Sequence, residues 1–245
     1  KKCPDRNPLS GIGVMSAIAL VYTTPWDNYL IMKNIWSYPE GVVLGTIGFV
    51  PIEEYGFMVM QTMLAGVLWS MISQKVKVFR LNFSGKGFVL GLIPGLIGAY
   101  CLSSDSGTYA GLILVWAFPP LMVQWGLGAR TLVSGAKTWL PVWAGFTLYL
   151  CLVDAHAISE GIWRISKATR SGIELGILPV EEALFFALTN LFVLQGLCLW
   201  QAWRNWKFYP RGWFEKKCPL FSLISPHQPR AKSLIKFVSF LIVGD

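Results

Sequence analysis

Of 245 residues, 54% are hydrophobic and only 14% are charged, with a mean hydropathy of +0.51. Soluble domains carry roughly 25% charged residues, so this composition excludes an ordinary soluble enzyme and indicates an integral membrane protein. The net charge of +8 suggests nucleic acid as a partner, but its distribution argues otherwise. The segments 1–8, 73–86, 125–137 and 202–231 hold 15 Lys and Arg, whereas 25–52, 104–108 and 158–178 hold 4. Alternation of this kind is the positive-inside pattern of a multi-pass protein. It places the N-terminus in the cytoplasm and leaves no role for nucleic acid.

Residues 1–8 read as a cytoplasmic arm, followed by an apolar, small-residue-rich segment at 9–24 that suits close helix packing. Thr23-Thr24-Pro25-Trp26-Asp27 then reaches the far membrane face, where Trp26, Tyr29, Trp36 and Tyr38 form an interfacial aromatic belt. Pro51 is placed to open the next helix, over 53–72. After a basic turn at 73–86, segments 87–103 and 109–124 form an antiparallel pair kinked by Pro94, Pro119 and Pro120. Further apolar segments follow at 138–157 and 179–201, with a weaker one at 232–244. The expected fold is all-α: a polytopic bundle of about six to seven transmembrane helices, in an endomembrane if the source is eukaryotic.

One stretch organises the chain. Pro179-Val180-Glu181-Glu182-Ala183-Leu184-Phe185-Phe186 repeats Pro51-Ile52-Glu53-Glu54-Tyr55-Gly56-Phe57-Met58 at an offset of 128. The echo extends upstream, because Asp27 and Trp36 are nine apart, as are Asp154 and Trp163. A tandem repeat follows, with unit one over about 9–124 and unit two over about 138–245. The two Glu-Glu helices are separated by an even number of crossings. The units therefore run parallel, with their acids at matched depth near the non-cytoplasmic face.

A carboxylate near the centre of a membrane helix costs roughly 2.5–3.5 kcal/mol on insertion scales. One Pro-x-Glu-Glu alone reads as an interfacial cap, since acids suit a helix N-terminus. Its repetition together with Asp27 and Asp154 argues for chemistry. Adjacent glutamates point about 100° apart, so one member of each pair can face the bundle while the other faces a different neighbour or the interface. The six acids, Glu53, Glu54, Glu181, Glu182, Asp27 and Asp154, are the catalytic candidates, in the mixed protonation states that acid–base work needs. Trp36, Trp163, Tyr55, Phe57, Phe185 and Phe186 are candidates to line a substrate and stabilise a cation. An acid, an aromatic lining and exclusion of water together describe a proton-initiated polyene cyclase.

Neither a metal nor a cofactor is expected. His156 and His227 are far apart, the five cysteines show no CxxC spacing, and neither a dinucleotide fingerprint nor an Asp-Asp-x-x-Asp motif is present.

The two Pro-(Val/Ile)-Glu-Glu segments, the Asp-x8-Trp pairs and Leu178-Pro179-Val180-Glu181-Glu182-Ala183-Leu184-Phe185-Phe186 resemble the membrane lycopene cyclases. These comprise fungal fused cyclase domains and the split-subunit enzymes of archaea and some bacteria. The resemblance spans nearly all of 9–201. It implies redox-neutral conversion of the ψ ends of lycopene to β rings, a lipophilic polyene substrate reached from membrane lipid, and a phytoene synthase fused or nearby. Two alternatives stay open: a stand-alone cyclase acting on a farnesylated meroterpenoid, and a proton-coupled transporter, since paired repeats and membrane acids suit a carrier too.

Overall fold

The computed structural model describes residues 9–73 and 81–205, which fall in one folded unit ending at Asn205. The expected N-terminal arm, most of the first basic turn, the basic segment beyond 205 and the seventh span at 232–244 lie outside the described residues. So do Cys3, Cys218 and His227.

Among the described residues, five α-helices form the body: α1 (Leu9–Met32), α2 (Ile52–Ile72), α3 (Gly85–Cys101), α4 (Thr108–Ser159) and α5 (Val180–Asn205). Of these, α1, α2, α4 and α5 are long and apolar enough to cross a membrane, while α3 is shorter. The solvent pattern is inverted relative to a soluble protein. Val21, Met60, Met63, Val89, Leu96, Tyr100, Leu148 and Leu152 are exposed, whereas Gln61, Thr62, Thr131, Asn190 and Gln195 are buried. In lipid, polar groups must find partners inside the bundle. Gln61 Nε2 accordingly donates to Thr189 Oγ1 at 3.0 Å and Asn190 Oδ1 at 2.9 Å, and Asn190 Nδ2 donates to Thr147 Oγ1 at 3.1 Å. This small network ties α2, α5 and α4 together.

Two expectations require correction in detail. Helix α1 does not end with the apolar segment at Thr24 but runs through Pro25 to Met32, so the Thr-Thr-Pro-Trp-Asp stretch is helical. The segments 109–124 and 138–157, with the connection 125–137 between them, are continuous in α4, broken only by non-helical φ/ψ of −140° and 16° at Gly128. A straight helix rising ~1.5 Å per residue would hold Tyr109 and Asp154 roughly 68 Å apart. Instead, Trp163 bonds Asp154, Trp36 bonds Tyr109, and the two indoles touch, with centroids 5.7 Å apart. Helix α4 therefore folds back on itself, bringing both of its ends to one side of the bundle.

Helix α3 packs on the first half of α4 through glycines. A Cβ at Gly91 would lie 2.3 Å from Met122 Cα and 2.5 Å from its N, and one at Gly87 would lie 2.2 Å from Trp125 O. These are backbone atoms that cannot rotate away. Gly91→Ala is therefore expected to lower stability by about 1–3 kcal/mol or more. Gly56→Ala, with nothing within 4 Å, is expected to be neutral or mildly stabilising. Thermal unfolding of the detergent-solubilised variants checks the contrast.

Short hairpins precede both Glu-Glu helices. Strand β2 (Thr46–Ile47) pairs with β3 (Val50–Pro51), and β5 (Glu174–Leu175) pairs with β6 (Leu178–Pro179), all antiparallel. Each two-residue turn begins with a glycine at positive φ, +67° at Gly48 and +71° at Gly176, as tight hairpins demand. Ile52 N bonds Gly45 O, and Val180 N bonds Ile173 O, both at 3.0 Å. Between the two halves, β1 (Trp36–Ser37) pairs antiparallel with β4 (Arg164–Ile165), Trp36 opposite Ile165. This bridge sets the two tryptophan-bearing loops against each other above the helix starts.

Candidate active site

Each hairpin delivers a proline and then two glutamates in the first turn of a helix, and the helical turn sends the two side chains to different places. Glu53 Oε1 accepts the Leu44 N–H at 2.7 Å, and Glu181 Oε1 accepts the Ser171 N–H at 2.6 Å. These two acids fasten their own loops. Glu53 is exposed, whereas Glu181 is buried with Oε2 lacking a hydrogen-bond partner.

The second glutamates turn inward. Tyr38 Oη donates to Glu54 Oε1 at 2.8 Å, and the Tyr109 hydroxyl donates to Glu182 Oε1. Glu182 is 1% exposed, Asp27 2% and Asp154 8%. Asp154 Oδ1 accepts from Trp163 Nε1 at 3.1 Å, which gives the Asp-x8-Trp spacing a physical meaning in the second unit. Asp27 Oδ1 is buried without a hydrogen-bond partner. Glu54 lies within electrostatic reach of Asp27, Asp154 and Glu182, and Asp154 of Glu182. Four carboxyls drawn from α1, α2, α4 and α5 thus form one cluster. In the loop over α2, burial, and after it the charge of Glu54, push the Tyr38 phenol well above its ordinary range. It therefore holds its proton as a donor.

An aromatic cluster adjoins the acids. Trp26 stacks on Trp116 (centroids 4.8 Å apart, interplanar angle 23°) and on Phe185 (5.6 Å, 12°). Trp36 meets Trp26, Trp163 and Phe185 edge-on at 5.6, 5.7 and 6.0 Å. Phe185 lies three residues after Glu182, on the same face of α5, so the carboxyl and the ring share one side of the helix. Phe186 touches Phe185 at 5.6 Å and Phe57 at 6.2 Å, on the way into the apolar core. Tyr55 is elsewhere: its hydroxyl donates to Ile47 O at 3.1 Å and closes the first hairpin.

The sequence pattern does not single out Tyr109, and it places Tyr38 and Trp26 in the interfacial belt. Tyr38 lies two residues beyond Trp36, but the matching position after Trp163 is Ile165, so the echo does not mark it. Tyr109 lies outside both copies of the acid motif and is not marked either.

The chain is 40% identical over 203 residues to the lycopene beta-cyclase of Halobacterium salinarum, covering 81% of this chain and 85% of that protein. It is 38% identical over 193 residues to the bifunctional lycopene cyclase/phytoene synthase of Gibberella fujikuroi, covering 74% of this chain and 33% of that protein. Against the protein of the same name from Leptosphaeria maculans the identity is 38% over 205 residues, covering 76% and 35%. The chain thus spans about a third of the fungal proteins it matches. No family model and no solved structure matches.

Proposed function

Because this chain belongs to the lycopene β-cyclase family, we propose that it converts the ψ ends of lycopene to β rings by internal proton transfer, giving γ- and then β-carotene. The observation that carries the reading is Glu182: sealed from solvent, held by Tyr109, and set on the same helix face as Phe185 in the tryptophan stack.

The chemistry is redox-neutral. Glu182 delivers a proton to C2 of the terminal C1=C2 bond, leaving a tertiary cation at C1. The C5=C6 π electrons attack, the C1–C6 bond forms, and the charge moves to C5. A carboxylate, assigned here to Asp154, takes the C6 proton, and its electron pair becomes the new C5=C6 bond. Passage of that proton back through the acid cluster, with Glu54 and Asp27 as relays, restores Glu182. The faces of Trp26, Trp116 and Phe185 stabilise the transient cations, and the dry surroundings keep water from quenching them. Glu53 and Glu181 hold the two loops in register.

We place the acids near the non-cytoplasmic ends of six crossings in two parallel units, with the N-terminus cytoplasmic. The hairpins offset by 128 residues and the fold-back of α4 support this arrangement, as does the positive-inside distribution. The fungal relatives' names make a phytoene synthase, fused or nearby, the fitting supplier of the carotenoid precursor. The relatives favour neither the farnesylated-meroterpenoid cyclase nor the transporter.

Expression in lycopene-accumulating bacteria tests the reading. A red-to-yellow change with β-carotene in the extract is the expected result. Unchanged lycopene, with the protein present in the membrane, contradicts it.

A further inference from the structure

Trp36 and Trp163 hold the same place in the two Asp-x8-Trp stretches, yet their indoles do different things. Trp163 Nε1 donates to Asp154 of its own unit at 3.1 Å. Trp36 Nε1 bypasses Asp27 and donates to the Tyr109 hydroxyl at 2.8 Å, across to the start of α4. Tyr109 is fully buried, and its backbone N–H is fixed to Thr169 O at 2.9 Å. Its hydroxyl in turn donates to Glu182 Oε1.

The direction of this chain follows from donor chemistry. An indole N–H can only donate, so it occupies a lone pair of the phenol oxygen. The phenol's single proton is thereby committed to Glu182. Oε1 of Glu182 is then an acceptor, and any proton that Glu182 carries resides on Oε2. We propose that Tyr109, locked by Trp36, is a positioning residue for ring formation: it fixes which oxygen of Glu182 bears the transferable proton and holds that carboxyl beside the tryptophan stack. The proposal rests on Glu182 as the proton donor. It also makes the two units chemically unequal, since the first unit's tryptophan serves the second unit's acid.

Tyr109→Phe removes the hydroxyl and keeps the ring; Trp36→Phe removes the indole N–H and keeps a ring in the edge-on contacts. With purified protein and lycopene in detergent, Tyr109→Phe is expected to lower kcat about 30-fold or more, and Trp36→Phe about tenfold. KM should stay within about twofold in both. The double variant should be no slower than Tyr109→Phe, because both remove one hydrogen-bonded unit. The pH–rate profile of Tyr109→Phe should shift, since the donor acid has lost its fixed partner. Wild-type kcat in Tyr109→Phe, or additive losses with KM rising alongside, overturns the proposal in favour of a packing role. If Tyr109→Phe is not recovered from membranes, Trp36→Phe decides: a tenfold fall in kcat at constant KM supports the positioning role, and an unchanged kcat overturns it. Wild-type protein inert toward lycopene in the same assay overturns the cyclase function and the positioning role with it. Active wild type with unaffected variants overturns the positioning role alone.

Discussion

Glu182→Gln is expected to abolish ring closure, with kcat falling at least about 10³-fold while the protein still inserts and unfolds at a near-normal temperature. The amide oxygen of Gln can still accept the Tyr109 hydroxyl bond, and the side chain has nearly the same volume. Shape and packing are therefore kept, and the proton is lost. General acid catalysis contributes typically 10²–10⁴-fold, and an alkene needs a strong push from a correctly placed acid. Glu53→Gln is the internal control. That residue is exposed and only fastens a loop, a task an amide oxygen performs as well, so its kcat should stay within about threefold of wild type. Lycopene turnover by the two purified variants measures the difference. Equal losses in both would mean that the first-turn glutamates act only as helix and loop caps.

The second large effect is expected at Asp154. Asp154→Asn keeps an oxygen for the Trp163 N–H, bonded at 3.1 Å in the native protein, but cannot collect the C6 proton. A fall in kcat of about 10²–10³-fold is expected. Trp163→Phe, which frees Asp154 without neutralising it, should cost only about tenfold. Cation formed by protonation but not discharged as the β ring should also divert, so Asp154→Asn is expected to raise the proportion of non-β cyclic products. Chromatography of the carotenoid extract reads both quantities. A variant with full activity and only β rings would remove Asp154 from the proton path.

Much of the architecture was legible because membrane insertion writes itself into composition. The limits of α2, α3 and α5 match the apolar segments to within four residues, since a bilayer demands continuous apolar length. The departures have local causes. The apolar run ends at Thr24, but lipid-embedded helices accept the proline that follows when neighbouring side chains and backbone adjust, and the helix continues to Met32. Gly128 sits inside a stretch with enough helix formers to stay helical on both sides, so the reversal in α4 has no loop to announce it.

The site was legible in its acids and less so in their partners. The echo at offset 128 pointed to Glu54 and Glu182 alongside Glu53 and Glu181, and the roughly 100° turn between neighbours separates cluster acids from loop fasteners. Which member goes where depends on the phase of each helix relative to its hairpin, which spacing alone does not carry. Tyr109 was invisible because its role arises from the fold-back of α4 and the β1–β4 bridge, which bring it to Trp36 from 73 residues away.

The most direct test of the acid cluster as a proton source is cyclisation of lycopene by the purified chain in D2O, read by mass spectrometry and NMR. The cluster meets solvent through the partly exposed Glu54, so the proton returned to Glu182 exchanges with D2O between turnovers, and one deuterium is expected at C2 of every ring formed: one in γ-carotene and two in β-carotene, with none at other positions. β-Carotene formed without deuterium at C2 would contradict it.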